Sequence, residues 1–457
     1  MQKLSRRSFI KSSTLATGAS MFAVQGCRSL GKVSTRKVPS LRKPGEKLRM
    51  GFIGSGGRGG ANLKEFYGLG EEIVALCDID QGRLDGACNR VKERCAGVRK
   101  YRDFREMLAK EQDLDAVVVS TPDHMHATAA IAAMKCGYHV YVEKPLVRTV
   151  WEARQFKRIA NDCGVTTQMG NNGNGTPTQR RRIEIFRSGI LGRIKEVHVT
   201  TNRPIWPQGL NRPAGSDPVP ASVDWNLWLG VAPERPFKKD VYHGFKWRGW
   251  YDFGTGALGD IACHSMSDFY RGFKLREVLS VECVKSTPQF TETFPLATTV
   301  KTVYRSDMQA EPITVYWYDG NTQPDASVCP KGAKVFGNLH GITVISDRGV
   351  VRGDSISWNG EDKFKGFAKD DICKSVKESI PRVKGHHWEF AEAIRGGDKP
   401  LSHHDHSVPL TEGVLLGCIS QRIPGELKWN AKQMKFDNSP EANQLLKPYV
   451  REGWSIV

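Results

Sequence analysis

Met50-Gly-Phe-Ile-Gly-Ser-Gly-Gly-Arg-Gly59 places a Gly54-x-Gly56-x-x-Gly59 spacing directly behind a short apolar run. Its flanks give the spacing its meaning. Leu48 to Ile53 read as a buried strand, Ala61 to Tyr67 as the following helix, and Ile73-Val-Ala-Leu-Cys-Asp78 as a second buried strand ending in an acid. Strand, glycine turn, helix and strand in this order are what a dinucleotide site requires. Gly54 permits the tight turn, Gly56 lets the backbone approach a pyrophosphate, and Gly59 lets helix and strand pack closely. Ser55, Gly57 and Arg58 complete the turn, so phosphates meet the positive end of the helix and its unpaired N–H groups.

Asp78 bears on which dinucleotide. A carboxylate there accepts the ribose hydroxyls of the adenosine half and repels a 2′-phosphate, so NAD is favoured over NADP. Arg83 is near enough in sequence to soften that preference.

The alternation started by the glycine turn continues. Asp115 to Ser120, Tyr138 to Glu143 and Val165 to Met169 read as strands, with helices at His126 to Cys136 and Val150 to Cys163. That is the pattern of a doubly wound parallel α/β sheet, which binds ligands beyond the carboxyl ends of its strands. After Gly170 the texture changes. Lys195 to Asn202, Glu277 to Thr287, Thr298 to Arg305 and Ile313 to Tyr318 alternate with the two-residue period of half-buried strands. Helical patterns interleave at Gln179 to Ser188, Asp260 to Phe273, His387 to Ile394 and Val408 to Arg422, and residues 204–236 read as a long loop. The expected organisation is a leader and linker (1–46), a Rossmann domain (47–169) and an α/β domain with an open-faced, mostly antiparallel sheet (170–457). A chain of 457 residues is also too long for one core of ordinary size.

The N-terminus carries an address. Ser5-Arg6-Arg7-Ser8-Phe9-Ile10-Lys11 is a twin-arginine pattern ahead of a weakly apolar run, which predicts export of the folded protein to the periplasm or envelope. Val24-Gln-Gly-Cys27 resembles a lipoprotein cleavage site, so Cys27 is a candidate lipid anchor. The following Lys, Arg, Ser and Pro-rich residues form a tether.

A formal charge of +18 raises nucleic-acid binding, but no nucleic-acid module accompanies it. The run Arg180-Arg181-Arg182 reads as a solvated helix face, and an anionic glycan or envelope partner stays open. Eleven cysteines in an exported chain raise disulfides. Cys77, Cys88, Cys136, Cys263, Cys283 and Cys418 fall inside predicted core elements, and folding before export is folding in a reducing compartment, so buried free thiols are expected. His403-His404-Asp405-His406 reads as a solvated loop rather than a metal site, and no metal is expected.

Three further motifs carry chemistry. Ser120-Thr121-Pro122-Asp-His-Met-His126 follows a strand and opens a helix, and can line the nicotinamide side of a dinucleotide. Glu143-Lys144-Pro145 follows the next strand, and the proline keeps Lys144 out of the α region at the strand edge. In Trp247-Arg-Gly-Trp-Tyr-Asp-Phe-Gly-Thr-Gly-Ala-Leu-Gly-Asp260-Ile-Ala-Cys-His264, the acid and the imidazole lie on one helix face. Such a pair can carry a proton near neutral pH.

Taken in this order, the motifs resemble the Gfo/Idh/MocA oxidoreductase family across nearly all the chain after Lys47. The resemblance implies that Lys144 hydrogen-bonds a substrate oxygen, His264 relays its proton and Asp260 orients substrate or imidazole. It implies hydride exchange between a substrate carbon and the nicotinamide, with a sugar or polyol as substrate. Trp247, Arg248, Trp250 and Tyr251 are candidates for a sugar-stacking wall, and the two tryptophans are equally placed for a core role. A homo-oligomer is implied by the open sheet face.

Export sharpens the readings. An exported oxidoreductase must keep and recycle its cofactor, either by reducing a second substrate, as in glucose–fructose oxidoreductase, or through the redox-neutral cycle of NAD-dependent glycosidases. The second route oxidises C3, eliminates, hydrates and returns the hydride. Lys144 favours the oxidoreductase. A non-catalytic glycan-binding scaffold is the remaining alternative, opposed by the retention of Lys144, Asp260 and His264 together.

Overall fold

The structure, a computed structural model, describes residues 42–325, 328, 341–361 and 363–457. The twin-arginine pattern, Cys27 and the tether up to Leu41 lie outside the described residues.

The first layer is a parallel sheet of β1 (Arg49–Ile53), β2 (Glu72–Cys77), β3 (Arg99–Tyr101), β4 (Ala116–Val119), β5 (His139–Val142) and β6 (Thr167–Met169). Its strand order is 3-2-1-4-5-6, that of doubly wound dinucleotide-binding sheets. The helices are α1 (Gly57–Gly68), α2 (Gln81–Val91), α3 (Phe104–Lys110), α4 (His126–Lys135) and α5 (Val150–Cys163). The middle strands are apolar on both faces because helices cover both. Local chemistry sets the helix starts. The carboxylates of Asp80 and Asp103 cap α2 and α3, and Thr149 with Glu152 forms a capping box on α5. α2, β3 and α3 were not anticipated, since their short, charged segments carry little apolar period.

The second layer is a mixed, mostly antiparallel sheet of ten strands among the described residues. Its centre is β7 (Ile194–Thr200), β8 (Leu275–Ser286), β9 (Thr298–Ser306) and β10 (Ile313–Tyr318), with only the β7–β10 pair parallel. β11 (Gly341–Ser346), β12 (Gly349–Arg352), β13 (Ser355–Trp358) and β14 (Lys365–Gly366) extend one edge. β15 (Leu427–Asn430) and β16 (Lys435–Phe436) extend the other. Helices α6 (Pro177–Arg187), α7 (Trp225–Leu229), α8 (Gly256–Ser265), α9 (Ser267–Gly272), α10 (Asp371–Ser375), α11 (His386–Ile394), α12 (His404–Ser420) and α13 (Pro440–Gln444) complete this half.

Several expectations need correcting. Residues 260–273 form two helices, because the chain turns at Met266. The 204–236 loop contains α7, started by the Asp224 carboxylate. The basic run on α6 is not a solvated face. Arg180 is 2% exposed, since it shares the face of Ile183 and Glu184, and it donates to Glu389 Oε1 at 2.7 Å. Arg181 donates to the carbonyls of Val376 and Cys373, and Arg182 reaches Asp268 and Asp354.

The 403–406 histidines open α12 rather than forming a solvated loop, because the His403 side chain caps the helix and extends it toward its N-terminus. His403, His404 and His406 are buried. His404 directs its ring nitrogens to Thr167 Oγ1 and Asn161 Oδ1, both at 2.9 Å.

The described cysteines are free; Cys77, Cys136, Cys263 and Cys418 are buried as expected, whereas Cys88 and Cys283 are half-buried. Finally, the 170–457 segment does not keep to its own sheet. α11 places Phe390, Ala391 and Ile394 in the cluster of Phe52, Leu63 and Phe66 on the first sheet.

Candidate active site

β1 and β4 are neighbours in the first sheet, and there the crossover direction reverses. A crevice opens beyond strand ends at such a point. It holds a cavity of about 490 Å³. Gly54 forms its floor with a φ of +84°, which only glycine adopts readily. A Cβ on Gly59 would come within 1.9 Å of the Gly54 carbonyl oxygen, so strand and helix approach to backbone contact there.

The turn leaves an anion site. Gly56 caps α1 without a side-chain hydrogen bond, and no acid lies in the first turn, so the helix N–H groups remain available to an oxyanion. Asp78 stands at the end of β2 and lines the same cavity. Its Oδ2 accepts from Ser55 N at 2.8 Å and Gly56 N at 3.1 Å, and its Oδ1 accepts from Asp80 N at 3.0 Å. The Ser55 hydroxyl also donates to Oδ2, at 3.2 Å, so it is Oδ1 that keeps lone-pair capacity for a ribose hydroxyl. Arg83 is on the wall too, 3.5 Å from Asp80. An uncapped helix start, a backbone-tight glycine turn and a strand-end carboxylate fit a dinucleotide.

The predicted residues divide. Gly54, Gly56, Gly57, Arg58 and Asp78 line the cavity from the first turn. Ser120, Thr121, Pro122 and His126 line it from the end of β4, and Glu143 and Lys144 from the end of β5. Trp247, Arg248 and Asp260 close it from the second half of the chain. Ser55 and Gly59 support the turn from behind. His126 ties two of these loops together, with its ring nitrogens 2.8 Å from Pro145 O and 2.9 Å from Thr121 O. Glu143 accepts from Arg58 Nε and Asn62 Nδ2, both at 2.9 Å, so it also anchors α1 to β5.

Lys144 Nζ donates to Asp260 Oδ1 at 2.7 Å, and the peptide bond to Pro145 is cis. Arg248 Nε donates to the same oxygen at 3.0 Å. Burial pushes the Asp260 carboxyl up, but Lys144 and Arg248 outweigh it and hold it below the usual carboxylate range. His264 stands one helical turn on, where its charge also favours ionised Asp260, although it is not part of the cavity wall. The direct partners of Asp260 named above are thus a lysine and an arginine brought from other elements.

Tyr251 requires correction. Its ring meets Phe294 edge-on at 4.6 Å between centroids and lies under the Arg422 guanidinium at 4.1 Å. It lines a separate cavity of about 240 Å³. Trp250 is fully buried against Tyr242 in an aromatic core, so of the two tryptophans only Trp247 faces the site.

Asp123 was missed, although it lies inside the quoted Ser120-to-His126 motif. It lines the cavity, is buried, and accepts from the Thr255 hydroxyl at 2.7 Å, while its Oδ1 has no hydrogen-bond partner. Burial, then the neighbouring Asp260 charge, push its carboxyl up to about 7. A carboxyl in a strand-to-helix turn gives no sign of this in the sequence, because the burial comes in part from the segment that bears Thr255. Neighbouring His124 is driven down to about 3 by burial and is a neutral core imidazole. Trp454 also reaches the cavity from the far end of the chain, with nothing in the sequence to locate it there.

Fold and site together define a two-part dinucleotide-binding oxidoreductase scaffold. Residues 48–171 match the oxidoreductase family's NAD-binding Rossmann fold, and residues 183–289 match the same family's C-terminal alpha/beta domain. The chain belongs to the Gfo/Idh/MocA oxidoreductase family, and NAD is the cofactor of that Rossmann domain. A glycosyl hydrolase family 109 protein of Solibacter usitatus is 39% identical over 165 residues, 33% of this chain and 36% of the relative. An alpha-N-acetylgalactosaminidase of Shewanella oneidensis is 32% identical over 211 residues, 42% of this chain and 45% of the relative. The chain thus spans less than half the length of these two curated relatives. The WlbA dehydrogenase of Bordetella pertussis, solved with NADH and UDP-GlcNAcA, shares the fold with a TM-score of 0.59 at 19% identity, over 86% of this chain and 99% of that one.

Proposed function

We propose that the protein is an exported NAD-dependent oxidoreductase that exchanges a hydride with a secondary alcohol of a sugar, cyclitol or glycoside and retains its cofactor. The observation that carries this reading is the Lys144–Asp260–Arg248 cluster on the wall of the nucleotide cavity. The bound nicotinamide supplies the hydride acceptor or donor. Lys144 donates a hydrogen bond to the reacting oxygen and favours negative charge developing there. Asp260, held ionised between two cations, keeps the ammonium in place. Asp123 has the right basicity to take the hydroxyl proton near neutral pH, with His264 as the relay toward solvent. Trp247 offers an apolar ring to the sugar face.

The twin-arginine pattern supports export, and export supports retention, since a soluble NAD pool is not expected outside the cytoplasm. The testing experiment is to purify the mature chain without added nucleotide, denature it and assay released NAD(H), then follow nicotinamide absorbance with a panel of glycosides. Near-stoichiometric release and substrate-dependent reduction support the reading; a chain that neither holds nor binds NAD overturns it.

The names of the family 109 relatives favour one second reading, a redox-neutral glycosidase. It predicts release of the aglycone from a nitrophenyl glycoside with no net change in NADH.

A further inference from the structure

A second cavity, about 810 Å³, lies among α5, α9, the start of β8 and the start of α12. It shares no lining residue with the nucleotide cavity. Its wall is rich in cations, and the ion pairs within it can be followed one by one.

The carboxylates on this wall are already engaged. Glu412 takes the Arg154 guanidinium through both oxygens. Asp405 faces Lys399 at 3.4 Å and His403 at 3.3 Å, and Glu277 faces Arg305 at 3.4 Å. Arg187, Arg271, Lys274 and Lys432 remain on the wall with no carboxylate within ion-pair distance among the described residues.

Arg271 is the informative member. One of its terminal nitrogens donates to the Leu401 carbonyl, but its Nε is buried with no hydrogen-bond partner. Burial, then the nearby Arg187 charge, lower this guanidinium to about 10, opposed only in part by Glu389, which is itself paired with Arg180. A desolvated cation facing other cations is costly unless an anion offsets it. Guanidinium and ammonium groups around one concavity are the recognition set for oxyanions, the guanidinium by paired hydrogen bonds and the ammonium as a point charge.

We propose that this cavity binds a small polyanion, a molecule bearing two or more phosphate, sulfate or carboxylate groups, through Arg187, Arg271, Lys274 and Lys432. The site is separate from the catalytic reading and does not depend on it. An inorganic polyanion and an acidic saccharide offer the same chemistry to these cations.

The test is titration calorimetry on the full chain saturated with NAD, which closes the nucleotide cavity to phosphates. The probes are pyrophosphate, citrate and a sulfated disaccharide at about 0.15 M salt, where weakly held surface ions are largely screened. The expected result is one site per chain for at least one probe, weakened at least about tenfold in an Arg271→Met/Lys274→Met variant with unchanged NAD affinity. Pyrophosphate as the tightest probe indicates a phosphate ligand, and the sulfated disaccharide indicates a glycan. If Arg271→Met disturbs folding, the exposed pair Lys274→Met/Lys432→Met carries the same test, with Lys92→Met as a distant control. No binding of any probe, equal weakening by Lys92→Met, or occupancy of the cavity by a second copy in sedimentation overturns the proposal.

Discussion

Lys144 Nζ stands 2.7 Å from Asp260 Oδ1 and 2.9 Å from the carbonyl oxygen of the same residue, although 116 positions separate them in the chain. The first sheet supplies the lysine at the end of β5, and α8 supplies the acid. The proposed reacting centre is therefore assembled at the junction of the two halves.

Replacing the ammonium should separate chemistry from cofactor binding. Lys144→Ala is expected to lower kcat at least about a hundredfold while NAD affinity changes by no more than about threefold. Steady-state kinetics and NAD titration on the same preparation check this. An unchanged kcat rejects a role for Lys144 at the reacting oxygen.

The second prediction concerns pH. Asp123 has its folded carboxyl raised to about 7, above the ordinary value of 3.8. A raised acid favours the folded state most while that state holds the proton, so wild-type stability falls as pH climbs from about 4 through 7. Asp123→Asn should remove that slope in melting temperature between pH 5 and about 8. In alcohol oxidation, Asp123 must be ionised to accept the proton, so kcat should rise through about pH 7. An Asp123→Asn enzyme that keeps the same rising limb would assign the limb to another group.

Substitution can divide the observed role of Asp78, as acceptor for the glycine turn, from its proposed role as a ribose contact. Asp78→Asn keeps an oxygen for the Ser55 and Gly56 N–H groups while removing the charge, and should narrow the preference for NAD over NADP. Asp78→Ala also strips those N–H groups of their acceptor, and should weaken both nucleotides by about tenfold. Competition binding with the two nucleotides reads the difference. Unchanged selectivity in Asp78→Asn argues against a ribose contact.

The α6 arginine provides a stability test far from the chemistry. Arg180 donates to Asn174 O at 3.0 Å, Pro381 O at 2.6 Å and Glu389 Oε1 at 2.7 Å, all from a buried position. Arg180→Met leaves Glu389 without its cation and should cost about 3–5 kcal/mol, the usual loss on breaking a buried pair. Urea unfolding measures it. A loss below about 1 kcal/mol would mean that water or a neighbour replaces the guanidinium.

What the sequence determined by itself is local. The glycine spacing, the apolar runs at β1, β2, β4 and β5, and the capping residue Thr149 act within a few neighbours, so the parallel sheet and its nucleotide turn were legible from the chain alone. Lys144 and Asp260 could be singled out because a proline or a glycine-rich lead marked each.

Only the tertiary structure decided which marked residues meet. Trp247 faces the cavity while Tyr251, four residues on, turns to Phe294 and Arg422. Arg180 is buried while its charge signals solvent, and α11 leaves its own half to cover the first sheet. These outcomes depend on the path of long loops and on desolvation by segments more than a hundred residues away, as with Thr255 and Asp260 around Asp123. Periodicity carries no information about such partners, because the free energy that selects them arises only when the surfaces come together.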